Sequence, residues 1–170
     1  MKDFFIDAVN HEQYRYFIDC MLEYSESFSL VYFKYRHTEP MRLSCSSVKK
    51  LLEPLVIYSE ETLEWPGTKT LNEAGHIYLL TMYRADKSAA RALYKAGGIF
   101  GWNYPKYPMD ICFYKNGYAF FESSAHSCWD AIYTSDDCDL NELKRKGFII
   151  RYNGMVDKSQ LFYNDRSIVL

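Results

Sequence analysis

The sequence predicts a single α+β domain over residues 1–170, with a mixed or mainly antiparallel sheet of about five to six strands and three to four helices. Three observations carry that expectation. Helical stretches with one apolar stripe are interspersed among runs of β-branched and aromatic residues. An Asn116-Gly117 pair between two apolar runs supplies the two positive-φ positions of a type I′ hairpin. Strand–helix–strand units are too few for a doubly wound sheet.

Each element has its own local reason. Asn10 caps a helix with Gln13 at N3, and Val9 can staple to Tyr14. Tyr14, Phe17, Ile18, Met21 and Leu22 then fall on one stripe, which predicts a helix over 11–24 docked by that face. Phe28 to Arg36 is a nearly continuous apolar and aromatic run, read as a central strand buried on both faces. Val48, Leu51 and Leu52 give a short helix over 46–53 that stops before Pro54, and Leu55 to Ser59 a strand with proline at its start. Trp65-Pro66-Gly67 reads as a turn and His76 to Tyr83 as a second buried strand. Asp86 caps a helix carrying Ala89, Ala92, Leu93 and Ala96, ended by Gly97-Gly98. In the hairpin over 110–126, Ile111 and Phe113 share a face with Phe120, and Phe113 stands opposite Phe120. Asp139 and Glu142 form a second capping box for a helix over 140–146, stopped at Gly147 with Lys144, Arg145 and Lys146 in its last turn. Phe148 to Tyr152 is the last strand, and Ile168, Val169 and Leu170 argue against a freely waving end.

Composition narrows the function classes. With 48% hydrophobic and 25% charged residues, the chain is ordinary for a globular domain and far from intrinsic disorder. A net charge of -2 and basic clusters only at Lys49-Lys50 and Lys144-Arg145-Lys146 provide no field for a polyanion, so nucleic acid is not an expected partner. The longest apolar stretches run about eight residues against the roughly 20 needed to span a bilayer, so no membrane partner is expected. Asp3 and Asp7 interrupt the apolar run a secretory signal needs, which makes a cytoplasmic chain the simplest expectation. Cys20, Cys45, Cys112, Cys128 and Cys138 are odd in number, irregularly spaced and without a CxxC pair, which suits reduced thiols rather than a disulfide framework or a zinc finger.

Two constellations draw attention. Glu122, Ser124, His126, Cys128 and Asp130 alternate strictly, so a continuing strand projects all of them from one face. Such a strip is a solvated sheet face, a recognition surface for a partner, or a chemical site with His126 as base to a Cys128 nucleophile and Glu122 nearby. Against the last, residues two apart on a strand sit roughly 7 Å from each other, beyond direct hydrogen bonding. A metal site using His126, Cys128 and either Asp130 or Cys138 matches no familiar zinc spacing, and no metal or cofactor is expected. The second constellation is the glycine- and proline-punctuated segment 97–108, where Trp102, Tyr104 and Tyr107 either face outward to bind or fold back as a lid on the core. Phosphate-loop and serine-hydrolase motifs are absent. His11, His37 and His76 have structural or solvated explanations, and Glu60-Glu61 and Asp136-Asp137 are short acidic runs that are usually only solvated.

Aromatic residues make up 18% of the chain, with 16 Tyr, 11 Phe and 3 Trp, more than one core of this length needs. A compact, Tyr-rich, slightly acidic domain without a catalytic signature resembles the small accessory proteins of bacteria, including immunity and antidote proteins and phage-encoded inhibitors, although no family motif matches residue by residue. The expected function is a non-enzymatic protein-binding protein that grips another protein with the loop carrying Trp102, Tyr104 and Tyr107 and with the polar residues Glu122, Ser124, His126 and Asp130. The alternatives are an enzyme or ligand-binding domain centred on His126 and Cys128, and a homo-oligomer formed by strand pairing.

Overall fold

The computed structural model describes residues 1–35, 43–69, 76–135 and 138–162. Its centre is one antiparallel sheet of eight strands: β1 (Lys2–Ile6), β2 (Ser27–Tyr35), β3 (Val56–Thr62), β6 (Ile77–Arg84), β7 (Met109–Lys115), β8 (Tyr118–Ser124), β9 (Trp129–Thr134) and β10 (Ile150–Met155). The spatial order is β10-β1-β9-β8-β7-β2-β6-β3. A separate two-stranded hairpin, β4 (Glu64–Trp65) with β5 (Thr68–Lys69), closes through Pro66-Gly67, where Gly67 takes a φ of 75°. The expectation of five to six strands is corrected by these eight. β1 escapes sequence reading because two aspartates flank and interrupt its short apolar run, and β9 because its polar start looks like a continuation of β8.

Four helices pack on one face: α1 (His11–Tyr24), α2 (Leu43–Leu52), α3 (Ala90–Leu93, flanked by 3-10 turns) and α4 (Cys138–Arg145). α1 has the bounds its spacing predicts, and the Asn10–Gln13 capping box forms in both directions. Its stripe meets Phe4, Phe28, Leu30, Phe113, Phe121 and Ile132 of the sheet in one cluster that also takes in Val48, Leu93 and Leu143 from the other helices. Asp86 caps the turn before α3 by accepting from Ser88 N–H, and Gly97 ends that segment at a φ of 75°. Gly147 stops the last helix at a φ of 80°.

The Asn116-Gly117 turn forms with φ values of 53° and 77°. A bulge between Phe113 and Tyr114 then shifts the register, so Phe113 faces Phe121 and not Phe120 as the unbulged hairpin predicts. The extra residue lets both Phe120 and Phe121 reach the helix-side core.

Alternation sends Ser29, Val31, Leu80, Met82, Cys112, Tyr114, Ala131 and Tyr133 to the other face. Trp65 of the small hairpin covers Val31 and Leu80, while Leu161 and Phe162 cover Ala131, Tyr133 and the Met82–Tyr114 cluster. The expected strand end at His37, the Asp136-Asp137 pair and the terminal Ile168, Val169 and Leu170 lie outside the described residues, as do the side chains of Cys138 and Asp139.

Candidate functional site

Glu122 and Ser124 lie on the second face of β8, but the strand ends there. Residues 125–128 turn, with Cys128 at a φ of 49°, and β9 runs back from Trp129. The register pairs Ser124 with Trp129 and Ser123 with Asp130, so Asp130 projects away from the face of Glu122 and Ser124. The single strip Glu122, Ser124, His126, Cys128, Asp130 is therefore folded in two. The cause is visible at Asp110, whose Oδ1 accepts the Ala125 N–H at 2.8 Å and takes that donor out of the ladder.

The turn separates two clefts. The first, about 430 Å³, is lined by Trp65, Thr68, Tyr78, Asp110, Ser124 and His126 among others. Asp110 sits at a φ of 48°, and its Oδ2 accepts the Trp65 indole N–H at 2.8 Å and the Thr68 hydroxyl at 3.4 Å. Burial pushes its carboxyl above the usual range, against the pull of those donors and of His126. A carboxyl so fully engaged acts as a clamp that ties the β4–β5 hairpin and the 125–128 turn to β7.

The second cleft, about 420 Å³, is lined by Phe5, Asp7, Phe100, Cys128, Trp129 and Asp130 among others. His126 and Cys128 thus line different clefts, and the Cys128 thiol points at the Ala125 carbonyl, 3.8 Å away. The fold does not bring the expected base and nucleophile together. Among the described residues no group of three or more His, Cys, Asp and Glu side chains is placed to hold a metal ion.

Glu122 is buried and receives the Tyr133 hydroxyl at 2.5 Å. Burial raises its carboxyl pKa, the Tyr133 donor opposes this, and the nearby Asp3 charge adds to it. Asp3 in turn accepts from the Asn153 amide at 2.6 Å through Oδ2 and leaves Oδ1 buried without a partner.

The aromatic loop is a lid. Trp102 is 0% exposed, and its indole N–H donates to the Tyr14 hydroxyl at 2.9 Å, which itself donates to the Leu93 carbonyl at 3.0 Å. Tyr107, 8% exposed, lies edge-on to Trp102 with centroids 6.0 Å apart. Tyr104 is half-buried against Phe33, 4.9 Å between centroids. A Cβ at Gly101 would run into the Ala96 carbonyl, so the glycine lets the loop close this tightly. The outward-facing grip is corrected for Trp102 and Tyr107, whose rings are interior: burial of large rings is favourable, the Trp102 N–H finds its acceptor in Tyr14, and Tyr107 packs edge-on to Trp102.

Sequence reasoning missed the sheet edge at β10. Asp7 N–H donates to the Ile149 carbonyl at 3.0 Å, which makes Asp7 and Ile149 a hydrogen-bonded pair. Alternation then makes Ile6–Ile150 and Phe4–Tyr152 non-bonded pairs, so Ile150 and Tyr152 turn their N–H and C=O away from β1. Ile149, Tyr152 and Met155 are 58%, 58% and 69% exposed along this edge. The Arg151 guanidinium is locked on both Asp7 carboxylate oxygens at 2.8–3.0 Å. Phe148 to Tyr152 is legible as a strand, but its place at the rim follows only from pairing with a β1 that was not foreseen. The chain matches no protein-family model, no curated protein and no solved structure.

Proposed function

We propose that the protein is a non-catalytic binding protein that receives an extended segment of another protein along β10. The observation that supports this reading is the conjunction at one rim of outward backbone groups on Ile150 and Tyr152 with the exposed side chains of Ile149, Tyr152 and Met155. Backbone pairing supplies affinity in such strand addition and alternate side chains supply selectivity. A long edge with exposed apolar residues is otherwise a hazard that proteins blunt with charge, as Glu60 and Glu61 do on β3 at the opposite rim. A second copy is the weaker occupant. The antiparallel register that joins Ile150 of one copy to Tyr152 of the other sets Arg151, already paired with Asp7, directly against the same residue of the other copy, so a second copy offers this edge no complementary charge.

The test is a photo-crosslinking residue in place of Tyr152, used in the native host with and without Ile150→Pro. Proline there removes an outward N–H and leaves the bonds to β1 intact but gives up the partly buried Ile150 contact with the core, so a stability loss of about 1–2 kcal/mol is expected and folding of the variant is checked by circular dichroism. The expected result is a crosslink to one distinct protein that Ile150→Pro abolishes. A crosslink pattern indifferent to proline, or one that joins two copies of this chain, overturns the reading.

A further inference from the structure

We infer that the cleft at the meeting of β1, β9 and the 125–128 turn binds an organic ammonium group, held by Asp130 in a space that Phe5, Phe100 and Trp129 also line. The inference is independent of strand addition at β10. Asp130 is only 4% exposed, and its Oδ1 is used by the Ile6 N–H at 2.8 Å. Its Oδ2 takes no hydrogen bond, yet it is not among the sealed, unpartnered atoms and so faces reachable space in the cleft. A carboxylate oxygen held this way is an acceptor without a donor. The other carboxylate lining the cleft, Asp7, is already engaged in two directions by Arg151. One uncompensated negative charge therefore remains, and no lysine, arginine or histidine is among the described residues lining the cleft.

The walls complete the chemistry. Trp129 is 37% exposed and Phe5 and Phe100 are half-buried. Alternation sends the Phe5 and Trp129 side chains to the sheet face opposite Asp130, so they border the cleft where β1 and β9 part beyond Phe4 and Ile132 and do not stack over the carboxylate. Aromatic faces attract cations through their quadrupole, and alkylammonium ions present both a charge for the carboxylate and carbon for the rings. A bare metal ion is a poor match, since it needs several oxygen ligands at once. Asn153 adds an amide at the rim. The charges facing Asp130 are Asp3 and Asp7 from β1, the latter carrying Arg151 from β10, with the Cys128 thiol on the turn beside it. Burial, the Asp3 charge and the Asp7 charge raise its pKa to about 6 against the Ile6 N–H, so ammonium binding competes with a proton below that pH.

The experiment titrates the full chain with n-butylammonium chloride and follows the Trp129 indole N–H by NMR, with 1-butanol as the neutral control and N-acetyl-lysine methylamide as the peptide-borne form of the same group. Expected are saturable shifts with n-butylammonium and none with 1-butanol, a tenfold or greater loss of affinity in Asp130→Asn, and roughly tenfold weaker binding at pH 5 than at pH 7.5. A lysine derivative that binds as well as the free amine, or more tightly, supports the site and tells which source of ammonium it prefers. Equal binding of 1-butanol, absence of saturation, or a wild-type affinity unchanged at pH 5 overturns the inference. The pH arm uses the unaltered protein and stands even if Asp130→Asn does not fold.

Discussion

The two faces of the sheet are buried to similar depth by different chemistry. Under the helices, Phe17 meets Phe121 and Phe28 stacks on Tyr83 at 4.9 and 5.1 Å between centroids, and Trp102 closes the layer with its single polar atom satisfied. On the other face the same strands bury Ser29, Glu122, Ser124 and Asp3, and two of the three sealed polar atoms left without a partner among the described residues, Asp3 Oδ1 and Ser27 Oγ, belong to it. The difference teaches where stability and sensitivity reside. Apolar rings contribute free energy in proportion to area and are indifferent to pH, whereas a buried carboxyl is stabilised only in its neutral form unless donors hold it.

Removing a ring from the helix side should therefore have the largest effect. Trp102→Ala is expected to lower stability by about 3–5 kcal/mol, read as a fall in the denaturant midpoint, because the loop cannot collapse into the space without moving Gly101 off the Ala96 carbonyl. A loss below about 1 kcal/mol would mean that the lid is not part of the core and would break the contrast between the faces.

The next effect in size is a pH dependence from the sheet's buried carboxyls. Asp130 has a folded pKa of about 6 against an ordinary value of 3.8, so the native state holds the proton more tightly than the unfolded chain. Its contribution is fully present below the unfolded pKa and is lost as pH rises through about 6. Glu122 and Asp110 are shifted in the same direction by burial. The surface carboxylates Asp7, Asp86, Asp157 and Glu142 are shifted down by their donors and work with the opposite sign. Comparison with Asp130→Asn, which keeps an acceptor for Ile6 N–H, isolates the one group. Relative to that variant, the wild type should lose of order 1–3 kcal/mol between pH 4 and pH 7 in equilibrium unfolding. A difference that stays flat across this window would show that burial does not raise the Asp130 pKa.

The same division decides how much was legible in the sequence. The helix side writes itself as period: Tyr14, Phe17, Ile18 and Met21 cannot be placed anywhere but one stripe, and the Asn10–Gln13 box and Asn116-Gly117 turn are local chemistry that needs no tertiary context. The polar side has no such signature, because Glu122, Ser124 and Asp3 look solvated until Tyr133, Asn153 and the 158–162 segment close over them. The alternation from Glu122 to Asp130 was a true pattern with a false continuation. What ends it is Asp110, 15 residues away, whose carboxyl takes the Ala125 N–H. The aromatic loop misled for a related reason: glycine and proline mark an irregular backbone, and only the reach of Trp102 to Tyr14, 88 residues earlier, tells that it closes inward.

The smallest expected effect tests whether neutral hydrogen bonds on the polar face contribute net stability. The Ser29 and Tyr114 hydroxyls lie 3.1 Å apart in the interior, and burial pushes the Tyr114 phenol well above its ordinary pKa, so it is a neutral donor or acceptor throughout the working range. Ser29→Ala alone and Tyr114→Phe alone each leave one hydroxyl short of this partner, with an expected cost of about 1–3 kcal/mol apiece. The double variant removes both polar groups and should come within about 1 kcal/mol of the wild type, so the coupling measured by the cycle is large while the net contribution is small. Additive losses would instead assign the pair a stabilising role equal to that of the rings and would erase the distinction between the faces. Near-cancellation would mean that these hydroxyls fix which residues of β2 and β7 stand opposite each other, while the free energy of folding comes from the other side of the same strands.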